Sequence, residues 1–207
     1  MQNVLILNSS PTPDDSVSTR FTAFFEQELL SSGRYNFVTR DLGAHPPEHL
    51  NALALSGFFI DPSEHTSEQI QALSESTCLI KELKNSDLII IGAAMHNHTV
   101  TSGLKAYIDL VTRPGLTFEY GAEGPRGFLN GKKVFVVISA GGEYSSEVAK
   151  KSDFVTPLLK EVLGFIGLND ITFIPVFGTY ADNGIFEQYK NSARRLIKTE
   201  VRKLKEL

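Results

Sequence analysis

A chain of 207 residues, 42% hydrophobic and 21% charged, is long and apolar enough to bury a sizeable core, which excludes wholesale disorder. Its single cysteine, Cys78, excludes an intramolecular disulfide and a cysteine cluster for zinc or iron–sulfur. The net charge of −4 argues against general nucleic-acid binding. No apolar run approaches the ~20 residues that cross a bilayer, and no targeting segment is recognisable. We therefore expect a cytoplasmic protein that binds neither nucleic acid nor membrane.

Charge is distributed unevenly along the chain. Residues 185–207 contain seven basic and three acidic side chains, so the other residues together carry a charge of −8. A basic segment of this kind can contact a membrane or a nucleic acid, but a solvated helix face is the commoner use of the pattern. We expect the segment to form the exposed face of the last helix.

The chain begins with an alternation of strand and helix patterns. Residues 4–7 form a short apolar run typical of a buried parallel strand, and residues 8–13 have the composition of a loop. Apolar residues at helical spacing predict a helix over residues 18–30, which Gly33 ends. Residues 35–40 alternate between apolar and polar side chains and predict an edge strand.

Two different patterns occupy the next forty residues. Residues 42–65 contain three prolines and predict a mostly irregular segment, whose length suggests a functional role. Thr66 can cap a helix that runs to about residue 84, on which Cys78 is predicted to be a core residue. The predicted apolar face of this helix consists of Ile70, Leu73, Thr77, Ile80 and Leu83.

The remainder of the chain continues the alternation. The predicted elements, in order, are a buried strand over residues 88–91, a helix over 101–113, a loop or hairpin insertion over 116–131, a buried strand over 134–138, a helix over 153–165, an edge strand over 171–177 and an amphipathic helix over 185–204. Pro175 is the reason for placing the last strand at an edge.

This order of elements predicts one α/β domain over residues 1–207. Strands that alternate with helices form an open parallel sheet covered by helices on both faces, and the connections are right-handed. For five strands we expect the flavodoxin-like order 2-1-3-4-5. In such a sheet a ligand binds beyond the carboxyl ends of the strands, where the loops 8–18, 92–100 and 139–146 would meet.

The first of these loops is rich in hydroxyl groups and leads directly into a helix. A helix N-terminus offers unpaired N–H groups and partial positive charge, which suit a phosphate. The alternative is that Ser16 or Ser18 only caps the helix. The absence of glycine before Gly33 excludes a Gly-x-Gly-x-x-Gly or Walker-type loop here. Asp14 and Asp15 should point to solvent if a phosphate binds.

The other two loops offer small residues and backbone. Gly92 and the Gly141–Gly142 pair would let a flat ligand approach the main chain, although a close helix contact or a simple turn explains them as well. His96 and His98 flank Asn97, but no third ligand is near in sequence, so we do not expect a metal site.

Stretches in and around the three loops resemble one family, the FMN-dependent NADH azoreductases, which are close relatives of the quinone reductases. They occur in family order over nearly the whole chain and are specific only in combination. The matching stretches are Ser9 and Ser10 with Ser16 and Ser18, then residues 94–98, 104–109, 115–120 with 124–125, 131–133, 139–142 and 163–167.

The resemblance implies a flavodoxin-like homodimer with one FMN per subunit near the dimer interface. It implies ping-pong transfer, in which NADH or NADPH reduces the flavin and the flavin reduces a quinone or an azo compound. Chemistry of this kind needs no catalytic side chain. Phenylalanines that a monomer would partly expose also favour a dimer, namely Phe58, Phe59, Phe118 and Phe128.

The family pattern assigns site residues to four groups. The phosphate loop maps onto Ser10, Ser16, Val17 and Ser18, the loop that contacts the isoalloxazine ring onto Met95, His96, Asn97 and His98, the second flavin loop onto Ser139, Ala140, Gly141 and Gly142, and the aromatic positions around the substrate onto Tyr120 and Phe165.

Four positions depart from the family pattern. Ala94, His96, His98 and Ala140 stand where proline, tyrosine, phenylalanine and arginine are usual. Backbone contacts to a flavin do not depend on these side chains, whereas the choice of acceptor and of NADH or NADPH does. Two other functions stay open from the sequence: a flavodoxin-type electron carrier, which would turn over NADH and menadione poorly, and a non-catalytic dimeric binding module, which would be colourless.

Overall fold

The computed structural model of the protein describes residues 1–12, 15–31, 33–181 and 184–206. The strands are β1 (Gln2–Asn8), β2 (Tyr35–Asp41), β3 (Leu88–Ala94), β4 (Phe118–Gly121), β5 (Gly124–Gly127), β6 (Lys133–Ser139) and β7 (Asp170–Val176). Five of them form a parallel sheet in the order β2-β1-β3-β6-β7. This is the predicted flavodoxin-like topology, renumbered because β4 and β5 form a separate antiparallel hairpin in the predicted insertion.

Helices connect the strands and cover the sheet. They are α1 (Val17–Leu30), α2 (Ala52–Gly57), α3 (Ser67–Ala72), α4 (Ser74–Asn85), α5 (Ser102–Val111), α6 (Glu147–Lys150), α7 (Val155–Phe165) and α8 (Ile185–Lys205), with a short 3₁₀ turn over Pro62–Glu64. Among the residues described, no helix is both long enough and apolar enough to cross a membrane.

The sheet has a separate core on each face. Alternate side chains of a strand point to opposite faces, so Leu5 and Leu7 of β1 lie on one face and Val4 and Ile6 on the other. Helices α4, α5 and α7 pack on the first face, and α1 and α8 pack on the second. Burial on both faces explains why β1, β3 and β6 are continuous apolar runs in the sequence.

Two predictions about the middle of the chain are wrong. The helix predicted from Thr66 to residue 84 is divided into α3 and α4 at Leu73, which is buried against Ala54 and Phe58. The Thr77 hydroxyl donates to the Leu73 carbonyl oxygen (2.9 Å), a contact that favours bending. The change of axis leaves Ile70 on the solvent side, where 58% of its surface is exposed.

Cys78 is exposed, and so is not the predicted core residue. It lies at the surface beside an ion pair, with its Sγ 3.5 Å from the Arg40 guanidinium and 3.7 Å from a Glu82 carboxylate oxygen. The hydrogen bond with Glu82 holds the pKa of Arg40 above its usual value. Residues 42–65 are also more regular than predicted, because the Asn51 side chain caps α2 and α2 buries Ala54.

Candidate functional site

The three polar loops meet along the carboxyl edge of the central strands. Ser9 donates to the Gly92 carbonyl oxygen through both its N–H (3.0 Å) and its Oγ (2.8 Å), which joins the first loop to β3. The Met95 N–H donates to the Ser139 carbonyl oxygen (2.8 Å), which joins β3 to the loop after β6. Parallel pairing of adjacent strands therefore places the three loops next to one another.

The N-terminus of α1 is built as an anion-binding turn. Ser16 is the N-cap, and its Oγ accepts from the Thr19 N–H (3.1 Å) and hydrogen-bonds the Ser18 hydroxyl (3.1 Å). The first-turn N–H groups of Val17 and Ser18 have no acceptor among the described residues, and this turn contains no acidic side chain. Capping therefore occupies Ser16 but leaves the two N–H groups and the positive end of the helix available.

Further polar groups surround this turn. The Ser10 side chain lies 3.4 Å from the Thr12 hydroxyl, and the Thr19 Oγ1 is buried without a hydrogen-bond partner among the described residues. Asp15 is exposed, as predicted, and Asp14 lies outside the described residues. Arg20, which the sequence analysis missed, donates to the carbonyl oxygens of Ser16 (3.3 Å) and Asp15 (3.1 Å). Its guanidinium adds positive charge beside the turn.

Gly43 is a second residue that the sequence analysis missed. It follows β2, and the backbone there passes so close to the first loop that a Cβ atom on Gly43 would lie 1.7 Å from the Ser10 carbonyl oxygen. The Asp41 carboxylate fixes this turn by accepting from the N–H groups of Gly43 (3.0 Å) and Ala44 (2.9 Å). Only a residue without a side chain fits, so Gly43 supports the position of Ser10.

We expect Gly43→Ala to weaken FMN binding at least tenfold, because the added methyl group must displace the Ser10 carbonyl and the loop that carries it. Fluorescence titration of the apoprotein with FMN measures the effect. Gly121→Ala is the matched control, since a Cβ atom there meets only the Gly124 carbonyl oxygen at 3.4 Å. Equal affinity of both variants for FMN would show that the loop position does not matter.

The second loop is a tight turn between His96 and Thr99. These two residues exchange backbone hydrogen bonds of 2.8 and 3.0 Å, and the residues between them, Asn97 (φ 47°) and His98 (φ 66°), are both left-handed. Two successive left-handed residues are the mark of a type I′ turn. The N–H groups of Asn97 and His98 have no acceptor among the described residues, so they are free to meet a ligand.

The third loop presents backbone rather than side chains. The carbonyl oxygens of Ala140 and Gly142 accept from Thr179 (3.1 Å) and Gly178 (3.0 Å), which fixes the loop to the end of β7. A Cβ atom on Gly141 would lie 2.4 Å from the ring of Tyr180, an exposed side chain that would have to move aside. The N–H groups of Gly141 and Gly142 have no acceptor in the part of the chain that the structure describes.

Together, the three loops supply several hydroxyls and six N–H groups without an acceptor among the described residues, all on one edge of the sheet. The turn before α1 fits a phosphate, and the two backbone loops fit a flat ring whose edge carries acceptor atoms. Such donors would also stabilise negative charge that develops on the ring. The residues present therefore fit a flavin mononucleotide, which combines a phosphate with such a ring.

Tyr120 and Phe165 do not lie beside the three loops of their own chain. The N-terminal end of α7 is beside the second loop, because the Phe154 N–H donates to the His98 carbonyl oxygen (3.0 Å). Phe165 ends this helix of 11 residues, a rise of roughly 16 Å from that loop. Phe118 packs on both Phe165 (4.5 Å between ring centroids) and Tyr120 (5.3 Å). These aromatics are thus at the amino edge, opposite the three loops of the same chain.

Comparison with known proteins agrees with this geometry. A family model described as a flavodoxin-like fold matches residues 2–198. An FMN-dependent NADH:quinone oxidoreductase of Herminiimonas arsenicoxydans is 43% identical over 84% of this chain and 86% of its own. One from Hydrogenovibrio crunogenus is 37% identical over 95% of this chain and 98% of its own. The chain belongs to the FMN-dependent NADH:quinone oxidoreductase family.

Solved structures with this fold include proteins that are named as azoreductases. An azoreductase from Bacillus anthracis str. Sterne superposes with a TM-score of 0.89 at 22% identity, covering 98% of this chain and all of that one. An FMN-dependent NADH-azoreductase from Bacillus anthracis str. Ames Ancestor, in complex with FMN, gives a TM-score of 0.87 at 22% identity and covers 99% of both chains. The likeness confirms the flavodoxin-like fold of this oxidoreductase family member.

Proposed function

We propose that the protein is an FMN-dependent oxidoreductase that uses NADH or NADPH to reduce quinones and aromatic azo compounds in the cytoplasm. The observation that carries the proposal is the row of unpaired N–H donors along the carboxyl edge, which fits FMN in a chain whose relatives are named FMN-dependent NADH:quinone oxidoreductases. When bound, FMN supplies the hydride chemistry. The single exposed cysteine is compatible with a reducing compartment.

The first loop would bind the phosphate of the cofactor, and the other two loops would bind its ring. Ser10, Ser16, Val17 and Ser18 would bind the phosphate through hydroxyl and N–H groups at the start of α1. The flavin ring would lie against Met95, His96, Asn97 and His98 on one side of the site and against Ser139, Ala140, Gly141 and Gly142 on the other. The protein would orient the ring and the substrates, and its N–H donors would stabilise negative charge that develops on the ring.

We further propose a homodimer in which Tyr120 and Phe165 of one subunit cover the flavin of its partner. Both aromatics lie at the amino edge, where they cannot reach the three loops of their own chain. Tyr120 is 71% exposed, as is Phe59, and Phe128 is also exposed, whereas Phe58 and Phe118 are buried within the chain. Of the four phenylalanines that are expected to be exposed in a monomer, only Phe59 and Phe128 are exposed, and only these two favour a dimer. A second subunit would cover the exposed aromatics and complete the site.

Absorption spectroscopy and turnover test the proposed function. The purified protein, or the protein mixed with FMN, should show flavin bands near equimolar occupancy and should oxidise NADH when menadione is supplied. A protein that stays colourless after FMN is added and the excess removed is not a flavoprotein. One that binds FMN but turns over menadione only with an added reductase is an electron carrier.

Steady-state kinetics should be ping-pong. A single ring face must serve the nicotinamide and the acceptor in turn, so the two substrates exclude each other. Double-reciprocal plots against NADH at several menadione concentrations should give parallel lines, and high menadione should inhibit competitively with NADH. Intersecting lines would mean that both substrates bind at once, and hence that the site has two compartments.

A further inference from the structure

A hydrogen bond links the second and third loops through side chains. The Tyr144 hydroxyl lies 3.3 Å from Nδ1 of His98, and the two rings meet edge to face at an angle of 82°. His98 belongs to the turn after β3, and Tyr144 follows Gly142 in the loop after β6. The pair therefore stands at the place where both flavin loops converge.

The turn fixes the backbone of His98, and Tyr144 holds one nitrogen of its ring. His98 is held in a left-handed conformation by the turn, and its carbonyl oxygen accepts from the Phe154 N–H. With Nδ1 bonded to Tyr144, the other ring nitrogen, Nε2, has no hydrogen-bond partner among the described residues, and the residue is exposed. Nε2 is thus the atom that a ligand or water can reach.

Tyr144 is itself anchored by packing. Its ring lies 5.6 Å from the Phe177 ring, and Phe177 lies 5.4 Å from Tyr189, all measured between centroids. Phe177 is buried. An aromatic chain that leads to the core holds the phenol in place, so its hydroxyl can fix a partner.

We propose that His98 donates a proton to the acceptor during its reduction and that Tyr144 is the positioning residue that directs Nε2 to the task. This proposal rests on the proposed function.

The reaction balances with one proton from the protein. Reduction of a quinone adds two electrons and two protons, and a hydride equivalent that originates on NADH carries both electrons and one proton. The Nε2–H bond of the His98 imidazolium breaks as an O–H bond forms on the quinone oxygen, or an N–H bond on an azo nitrogen. NADH leaves as NAD⁺, and the now neutral His98 takes a proton from water.

Tyrosine suits this role because its hydroxyl can accept a hydrogen bond. It accepts from Nδ1–H of the imidazolium and continues to accept from Nδ1–H of the neutral ring that remains once Nε2 has given up its proton. The hydrogen bond therefore persists in both protonation states. Imidazole is also the side chain whose charge changes most readily between pH 5 and 8.

The charged groups around His98 are engaged with other partners. From the loop after β6, the Glu143 carboxylate accepts from Ser145 (2.7 Å) and Tyr189 (3.5 Å). From the start of α7, Asp153 accepts from the N–H groups of Val155 (2.9 Å) and Thr156 (3.0 Å).

Helix α6 and the turn itself carry further ionisable groups. On α6, a hydrogen bond from Lys150 holds the pKa of Glu147 below its usual value, and Lys151 is exposed just beyond it. His96 lies in the same turn as His98. A His96→Tyr background removes this second imidazole from the experiment that follows.

Stopped-flow kinetics on the holoenzyme separate the two half-reactions. Reduction by NADH consumes no proton from the protein, whereas reoxidation by menadione does. We expect the reoxidation rate to fall as pH rises, because only the imidazolium form can donate the proton. His98→Asn should be at least about tenfold slower at pH 6 and independent of pH, in keeping with the usual contribution of a general acid.

The choice of variants protects the test against misfolding. Asparagine tolerates the left-handed conformation of residue 98, so His98→Asn keeps the turn. His98→Phe is the second variant and keeps a ring. His49→Phe, at an exposed histidine outside the three loops, is the matched control and should behave as the wild type.

A second measurement does not depend on turnover. Nitrogen-15 NMR of the histidines in the oxidised holoenzyme reports which ring nitrogen carries the proton. Neutral His98 should be the Nδ1–H tautomer, and Tyr144→Phe should convert it to a mixture and slow reoxidation severalfold while its pH dependence remains. The same tautomer in wild type and Tyr144→Phe would overturn the positioning role.

The results separate a failure of the proton-donor role of His98 from a failure of the proposed oxidoreductase function. Failure of NADH to reduce the bound flavin in the wild type would overturn the proposed function. Normal flavin reduction, with reoxidation whose pH dependence survives in His98→Asn and His98→Phe, would overturn the proton-donor role alone.

Discussion

Replacing Ser16 with aspartate should lower the affinity for FMN by at least a hundredfold. Ser16 is buried at the N-cap of α1, and its Oγ also hydrogen-bonds Ser18, so a carboxylate there would face the phosphate directly. Two unit charges ~4 Å apart at an effective dielectric of ~20 repel by about 4 kcal/mol, which is close to a thousandfold in affinity. Partial screening by solvent reduces this repulsion, but the interaction remains unfavourable.

Ser16→Asn is the control that isolates charge. Asparagine and aspartate are both as good as serine at an N-cap, so both variants should keep the helix and its thermal stability. Fluorescence titration with FMN should show a large loss for Ser16→Asp and a change of less than about fivefold for Ser16→Asn. Ser18→Asp should resemble Ser16→Asp. If both aspartate variants retained FMN like the wild type, the phosphate would have to bind elsewhere.

The second large effect is expected from mixing two variants that are each impaired in a different way. Tyr120→Ala should lower kcat/KM for menadione about tenfold in the homodimer, because an aromatic wall of the pocket is lost. The exposure of Tyr120 means that the fold should tolerate the change. Ser16→Asp should be inactive because it lacks FMN. The Tyr120→Ala subunit still binds FMN, and the Ser16→Asp subunit still has Tyr120. If Tyr120 covers the flavin of the partner, a mixed dimer therefore contains one complete site.

Unfolding and refolding an equimolar mixture should therefore restore activity. Half of the dimers would then be mixed, each with one intact site, so about a quarter of the wild-type activity should return. Wild-type protein taken through the same procedure gives the reference value. A mixture no more active than its components, in protein that light scattering shows to be dimeric, would place Tyr120 over the flavin of its own chain. A particle of 22.8 kDa at micromolar concentration would exclude the dimer.

The sequence was sufficient for the sheet because the information there is local. All side chains of residues 4–7, 88–91 and 134–138 are apolar, as expected for strands that are buried on both faces. The helices between these strands leave few possible topologies for the sheet. The polar composition of the three loops then located the candidate site, since the carboxyl ends of adjacent parallel strands must be neighbours. These features depend on residues close to one another along the chain.

Tertiary structure decided the features that depend on distant residues. The helix break at Leu73 arises from its burial against α2, and the need for glycine at position 43 arises from the Ser10 carbonyl passing within contact distance. The same is true of the His98–Tyr144 hydrogen bond, whose partners are 46 residues apart. Helix α7 places Phe165 away from the three loops of its own chain, and this is the reason that the proposed site includes a second subunit. The sequence by itself determined the strands, their order and the candidate loops, because periodicity and composition act locally. Only the packed structure decided which side chains meet, because the distances between loops depend on strand register and helix packing.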